Sequence, residues 1–208
     1  MRRRTTVTRP KRMNAEDRRR HILTTTVSCI SQFGFWGFTI SDVADAEHIT
    51  EAGLLYYFSG KEELLVEALK YADHINQIAI AEHLGVTGVT GDVLADGIAY
   101  HCDHGLKTIL QATVETNANR PELVRLYTVL EGEALSEDHP AHDYFVTRED
   151  NLLKEYTVAA ERDHVNDPAR TAIQALSAME GLQLRWLNDA REVDFVGEWR
   201  ALADLIIR

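Results

Sequence analysis

A chain of 208 residues with 45% hydrophobic and 26% charged residues has room for one domain with a sizeable core, or for a small domain fused to a larger one. Its longest apolar runs fall short of a membrane span, and no apolar segment follows the nine Lys/Arg of the first twenty residues, which argues against a secretory signal and for a cytoplasmic address. Four prolines among abundant Ala, Leu, Glu and Arg point to a mostly helical chain, and two cysteines, Cys29 and Cys102, are too few to frame it and read as reduced thiols.

The net charge of -11 is unevenly spread. Residues 1–61 hold ten Lys/Arg against six Asp/Glu, and residues 62–208 hold twelve against twenty-seven, so a basic head is joined to an acidic body. The opening "MRRRTTVTRPKRM" (1–13), with Arg3 and Arg4, has the composition of a solvated, disordered arm, and also the charge of one that touches nucleic acid.

Asn14 followed by Asp17 signals a helix start, and Ile22, Leu23, Thr26, Ile30 and Phe33 recur at helical spacing until Gly34. Thr39 with Asp42 repeats the capping signal, and Ile40, Val43 and Ala44 give a short second helix that stops near Glu47. His48 follows that stop, where a positive φ is common and His tolerates it better than most side chains. Ile49 plugs the corner. Thr50 caps a third helix in which Leu54 and Phe58 share the packed face, with 50–58 spanning about a major-groove width. Ser59 with Glu62 is a further capping box, opening a long fourth helix from Lys61 to Leu84. Helix, short turn, helix is a unit that lays its second helix in a DNA major groove. Three small helices that simply pack explain the apolar face, but not an outward Leu55 and Tyr57 beside Lys61 and a basic arm.

Residues about 17–65 resemble the DNA-binding domain of the tetracycline-repressor (TetR) family of transcriptional regulators. The resemblance rests on Ile22-Leu23, Phe33-Gly34-Phe35, Thr39, "VADAEHIT" and "GLLYYFSGKEEL". It implies that Thr39, Tyr57 and Lys61 touch phosphates, and that Glu51, Ala52, Gly53 and Leu55, beyond the cap at Thr50, face base edges. Two positions depart from the family pattern: His48 stands where Gly is usual, and Leu55 where Tyr is frequent. A leucine there suits a thymine methyl, and Glu51 suits a cytosine amino group.

After the Gly/Thr-rich break "GVTGVTGD" (85–92), apolar segments run through Leu106–Val114, Leu123–Leu135 and Tyr144–Ala160, with Pro121, Pro140 and Pro168 at helix starts. The last two segments carry Ile173, Leu176, Met179, Leu182 and Trp186, then Phe195, Trp199, Leu202 and Ile206, at three and four spacings. Gly181, in mid-helix, suggests close helix approach. The resemblance implies that these helices pair in a homodimer, through Ile173, Leu176, Gly181, Leu182, Trp199, Leu202 and Ile206. An ordinary monomeric core is the alternative.

Nine histidines raise a metal-binding reading, strongest at "HCDHG", where His101, Cys102 and His104 could share a helix, but the sequence offers no fourth ligand. His139 and His142 fit a helix start beneath a loop. Glu161 and His164 form one Glu-x-x-His pair where a di-iron bundle needs two. There is no nucleophile elbow, Walker loop or dinucleotide fingerprint. The sequence therefore predicts an all-α protein that is not an enzyme, with no cofactor or metal. Its parts are a basic arm (1–13), a helix-turn-helix DNA-binding domain (14–65) and a larger helical ligand-binding and dimerisation domain (66–208). Its predicted partners are a double-stranded operator, a small-molecule effector and a second copy of the chain, with no membrane. An all-α metal-dependent enzyme or binding module is the rival. Tyr127, Tyr144, Phe145 and Trp186 suit a ligand pocket and a plain core equally.

Overall fold

The computed structural model describes residues 14–86 and 104–208, and every regular element in them is helical. The basic arm, most of the Gly/Thr-rich break, and both His101 and Cys102 lie outside the described residues. α1 (Ala15–Gly37) starts at Asn14, whose side-chain oxygen accepts from the Asp17 N–H at 2.7 Å, with Glu16 and Asp17 placing negative charge in the first turn. Ile22, Leu23, Thr26 and Ile30 form its buried stripe, but Phe33, expected on that stripe, is 58% exposed. The stripe steps from Ile30 to Gly34 instead, where the backbone leaves the helix at φ 68° and ψ 179°, a region open to glycine and almost nothing else. Beyond that break Phe35 and Phe38 turn into the core.

α2 (Ile40–Ala46) opens on the expected reciprocal box between Thr39 and Asp42, and His48 follows its end with φ 54°. α3 (Glu51–Leu55) is capped by the Thr50 hydroxyl oxygen, which accepts from the Gly53 N–H at 3.0 Å. It is shorter than the sequence suggests: the helix ends at Leu55 and a turn brings Phe58 beside Leu54, both buried. The box expected between Ser59 and Glu62 does not form: Gly60 is the N-cap, and the Glu63 carboxylate instead accepts from the Ser59 N–H and hydroxyl at 2.6 and 2.5 Å. α4 (Lys61–His83) then runs from this unit into the body.

The body holds α5 (Leu106–Asn117), α6 (Pro121–Glu133), α7 (His142–Arg162), α8 (Pro168–Asn188) and α9 (Phe195–Ile206). Pro121 and Pro168 occupy first turns, where a missing amide donor is harmless, while Pro140 lies in the turn before α7. α6 stops short of Leu135, which is exposed. α7 packs on α8, α9 lies against α5 and α8, and α1 rests on α4 and α6. One core cluster is confined to the body, around Leu110, Met179 and Trp199. A second runs from Ile22, Leu54 and Phe58 through Leu65 and Leu69 to Leu126, Leu130 and Phe145, and a small third joins Ile80 and Ala81 to Ala112. The boundary expected at residue 65 thus falls inside a continuous helix and a shared core.

That seam is closed by one carboxylate. Glu133, at the end of α6, accepts from the Phe35 N–H at 2.9 Å, and a Cβ on Gly34 would lie 2.3 Å from its Oε1. An anion at a helix C-terminus opposes the helix dipole, and the Phe35 N–H freed by the break in α1, with the nearby Lys61 charge, offsets that cost. His139, buried with Nε2 at 3.7 Å from Glu133, packs its ring edge against Phe35 at 5.0 Å, and burial lowers its pKa. Replacing Gly34 by Ala forces both a disfavoured φ and displacement of Glu133, so urea unfolding should show a loss of about 1–3 kcal/mol. Gly132→Ala, at an exposed helical site with nothing within 4 Å, should instead be neutral or stabilising; equal losses in both variants would contradict this account of the seam.

Candidate functional site

α2 and α3 present the face that sequence reasoning selects. Thr39, Thr50, Glu51 and Ala52 are exposed, Gly53 is half-buried, and Leu55 is 43% exposed. A Cβ on Gly53 would press on the Thr50 oxygen at 3.2 Å, so the small residue protects the cap. The two threonines differ in what they can offer a phosphate. Thr39 already donates its hydroxyl proton to Asp42 at 2.7 Å, whereas Thr50 uses its oxygen only as an acceptor for the cap and keeps its proton available.

Tyr57 is half-buried against the amino-terminal core, and its neighbour Tyr56 is 83% exposed, the two rings meeting edge to face at 5.2 Å. Sequence reasoning favoured Tyr57 as the outward tyrosine, but the early end of α3 rotates the pair. Lys61 is half-buried, its ammonium 4.4 and 4.7 Å from the ring centroids of Phe35 and Phe38. Burial pulls its pKa down, against the pull of Glu133 and Asp42. Arg18 and Arg19 are engaged with Glu47 at 3.4 Å and Glu67 at 2.5 Å, so they hold α1 to α2 and α4. Arg3 and Arg4 lie outside the described residues.

A partly open cavity of about 540 Å³ lies between α4, α5, α6, α7 and α8. At one wall the buried Asp73 carboxylate receives three donors: Tyr127 Oη at 2.6 Å, Tyr144 Oη, and Arg148 Nε at 3.1 Å. Arg148 also reaches Glu131 with Nη1 at 3.4 Å and lies 4.5 Å from the centroid of the Tyr127 ring. Burial and the Asp73 charge push both tyrosine hydroxyls well above their usual pKa, so they remain donors. Burial works most strongly against the Arg148 charge, but Asp73, Tyr127, Tyr144 and Glu131 together outweigh it and hold the guanidinium charged. Glu180 also lines the cavity from α8; it keeps part of its surface in solvent, yet crowding by the protein first and then Glu131 push its carboxyl up to about 7.

Of the four aromatic candidates, Tyr127 and Tyr144 line this cavity. Phe145 packs in the amino-terminal core, and Trp186 stacks on Phe195 at 4.9 Å in the body core. Sequence reasoning missed Asp73, Arg148, Glu131 and Glu180. Asp73 carried a signal, since it continues the apolar row Leu65, Leu69 at a spacing of four and is therefore a carboxylate at a core position.

The residues expected to pair two subunits fall on two faces. Trp199 is fully buried, and Leu176 and Leu182 are nearly so, within the body's own core. They have no surface to offer a partner, which corrects their assignment. Leu202 and Ile206 are half-buried at the edge of that core. Ile173 is 53% exposed, and with Ser177, Gly181 and Leu184 it forms an outward row at spacings of three and four; a Cβ on Gly181 would meet nothing within 4 Å. On α9 Leu205 is 61% exposed. Among the described residues no three His, Cys, Asp or Glu side chains converge on a metal position, and no helix is long and apolar enough to cross a membrane.

Residues 22–68 match the family model for bacterial regulatory proteins of the tetR family. No curated protein matches the chain in sequence. Among solved structures, a TetR-family transcriptional regulator from Rhodococcus sp. is 22% identical, covers 93% of this chain and 100% of its own, and superposes with a TM-score of 0.70. A TetR transcriptional regulator from Legionella pneumophila is 17% identical over 94% of this chain and 98% of its own, with a TM-score of 0.71. The fatty acid degradation regulator FadR from Bacillus halodurans is 14% identical, covers 92% and 97%, and has a TM-score of 0.64. Residues 22–68 thus form a helix-turn-helix unit of the kind found in bacterial regulatory proteins of the tetR family, on an all-helical body folded as in these regulators.

Proposed function

We propose that the chain is a ligand-released repressor that binds a pseudo-palindromic operator as a homodimer, each copy placing α3 in a major groove. Glu51, Ala52, Gly53 and Leu55 face base edges. Thr50, Tyr56 and Lys61, with Arg3 and Arg4 of the arm, meet phosphates, while Thr39 and Tyr57 hold the unit's shape. The observation that carries the ligand response is shared structure. Tyr127 belongs both to the core that continues from the DNA-binding unit and to the cavity wall, and Asp73, its partner, lies on the helix that links the two. A molecule that displaces this wall moves α4 and α6 together. Release of DNA requires that the molecule favour a dimer whose two recognition helices are wrongly spaced for adjacent grooves.

Selection of genomic fragments bound by the full chain, followed by a screen for small molecules that release them, tests the reading. The selected sites should be two-fold symmetric, with half-sites about one helical turn apart or a multiple of it. Repeating the selection with Leu55→Ala should change the preferred base at one position per half-site, by about 1–3 kcal/mol. Sites without symmetry, or an unchanged preference, would contradict the proposed docking.

The dimer is assigned to the outward row on α8 and the neighbouring face of α9. Gly181→Leu is a clean probe because the side chain has open space in the single subunit. If two helices cross there, the leucine should overpack the contact by roughly 1–3 kcal/mol. Sedimentation should then show weakened dimers with helicity retained, and affinity for the full operator should fall in step. A variant that stays dimeric at wild-type strength would place Gly181 outside the interface.

A further inference from the structure

The cavity wall carries more carboxylates than cations. Asp73, Glu131, Asp143, Glu155 and Glu180 line it, against Lys70 and Arg148. Neither cation is offered to a ligand: Lys70 holds Glu67 at 3.0 Å, and Arg148 is turned to Asp73 and Glu131, with the Tyr127 ring beneath it. An anionic guest would meet repulsion that no spare positive charge relieves. Glu180 makes no ion pair with any described residue, and its surroundings raise its pKa to about 7.

A second observation is independent of charge. The side-chain carbonyl oxygens of Asn76, Gln77 and Asn117 are buried in this wall without a donor, and Asn117 as a residue is only 7% exposed. A buried acceptor without a donor is destabilising, and three around one cavity suit a guest that brings N–H groups. Much of the remaining lining is apolar, with Ile80, Val124, Leu152, Leu176 and Met179. The volume falls in the range of ordinary small-molecule sites.

We infer that the cavity takes an organic cation, a protonated amine or amidine on an apolar body, whose N–H groups meet the amide oxygens and whose charge lies against Glu180 and Glu131. This rests on the reading of the cavity as the effector site, and it names the effector's chemical class. A cation beside Glu180 favours the ionised carboxylate. Glu180 faces Glu131 on α6, Arg148 and Glu149 on α7, and the Tyr156 ring. Affinity for a cation that stays charged from pH 6 to 8 therefore rises with pH across that interval, as Glu180 loses its proton.

The test uses hexylammonium, hexanoate and hexanol, which share an apolar tail and differ in charge. The full chain has three methionines, so the methyl resonance of Met179, buried in the cavity wall, is readily assigned and reports binding there. At pH 8 hexylammonium should bind about tenfold more tightly than hexanol, with hexanoate weakest. Its advantage should shrink at pH 6, and should largely vanish in Glu180→Gln, whose hexanol affinity serves as the check that the cavity is intact. Preference for hexanoate or hexanol overturns the cation assignment while leaving a ligand cavity in place. If none of the three shifts Met179 at any concentration, the effector-site reading fails and the cation assignment with it.

Discussion

The arrangement depends on one carboxylate held in a notch. Glu133 ends α6, where the helix's own carbonyls already concentrate negative charge, and the position is tenable because α1 stops being a helix at Gly34 and turns the Phe35 N–H toward it. No side chain at residue 34 would leave room for that contact. Lys61, drawn over the Phe35 and Phe38 rings, places a positive charge in the same neighbourhood. A glycine, a glutamate and a lysine distant in sequence thereby fix the DNA-binding unit to the body.

In the proposed mechanism this fixed seam is what lets a small molecule act at a distance. The cavity is bounded by α4, which starts within the DNA-binding unit, and by α6, which ends at Glu133. Asp73 and Tyr127 join these two helices by a 2.6 Å hydrogen bond, and Arg148 adds α7 to the same carboxylate. Such a network is stable while its partners are all present, and it is strongly perturbed by a competing charge. A cation that draws Glu131 away from Arg148 would alter the charge balance around Asp73, and with it the relation of α4 to α6.

Much of the amino-terminal unit was legible because its signals are local. Caps at Asn14, Thr39 and Thr50, the stop at His48 and the row of Ile22, Ile30, Leu54 and Phe58 each follow from a few neighbouring residues. The errors came where a neighbour far along the chain decides. Phe33 looked like core until the helix was seen to break one residue later against Glu133, and Tyr57 looked outward until α3 ended at Leu55. Trp199, Leu176 and Leu182 show the same limit: apolar spacing identifies a helix with a buried side, but says nothing of whether that side meets its own body or a partner. The cavity was the least legible part. Its defining groups come from several helices: Tyr127 and Tyr144 could be named only as pocket or core, and Asp73, a carboxylate in an apolar row, carried a signal that was passed over.

The central claim is that the cavity and the DNA-binding face communicate through the Glu133 seam, and a double-mutant cycle on operator affinity measures it directly. Met179→Trp fills part of the cavity, and Glu133→Ala removes the seam carboxylate. Met179 belongs to the body core, whereas Glu133 meets Phe35 of the amino-terminal core. Sites that are separate and independent give additive effects within about 0.3–0.5 kcal/mol. Coupling through the seam predicts that the loss of operator affinity caused by Met179→Trp is diminished by about 1 kcal/mol or more when Glu133 is absent. Strict additivity, with both single variants folded and dimeric, would contradict it.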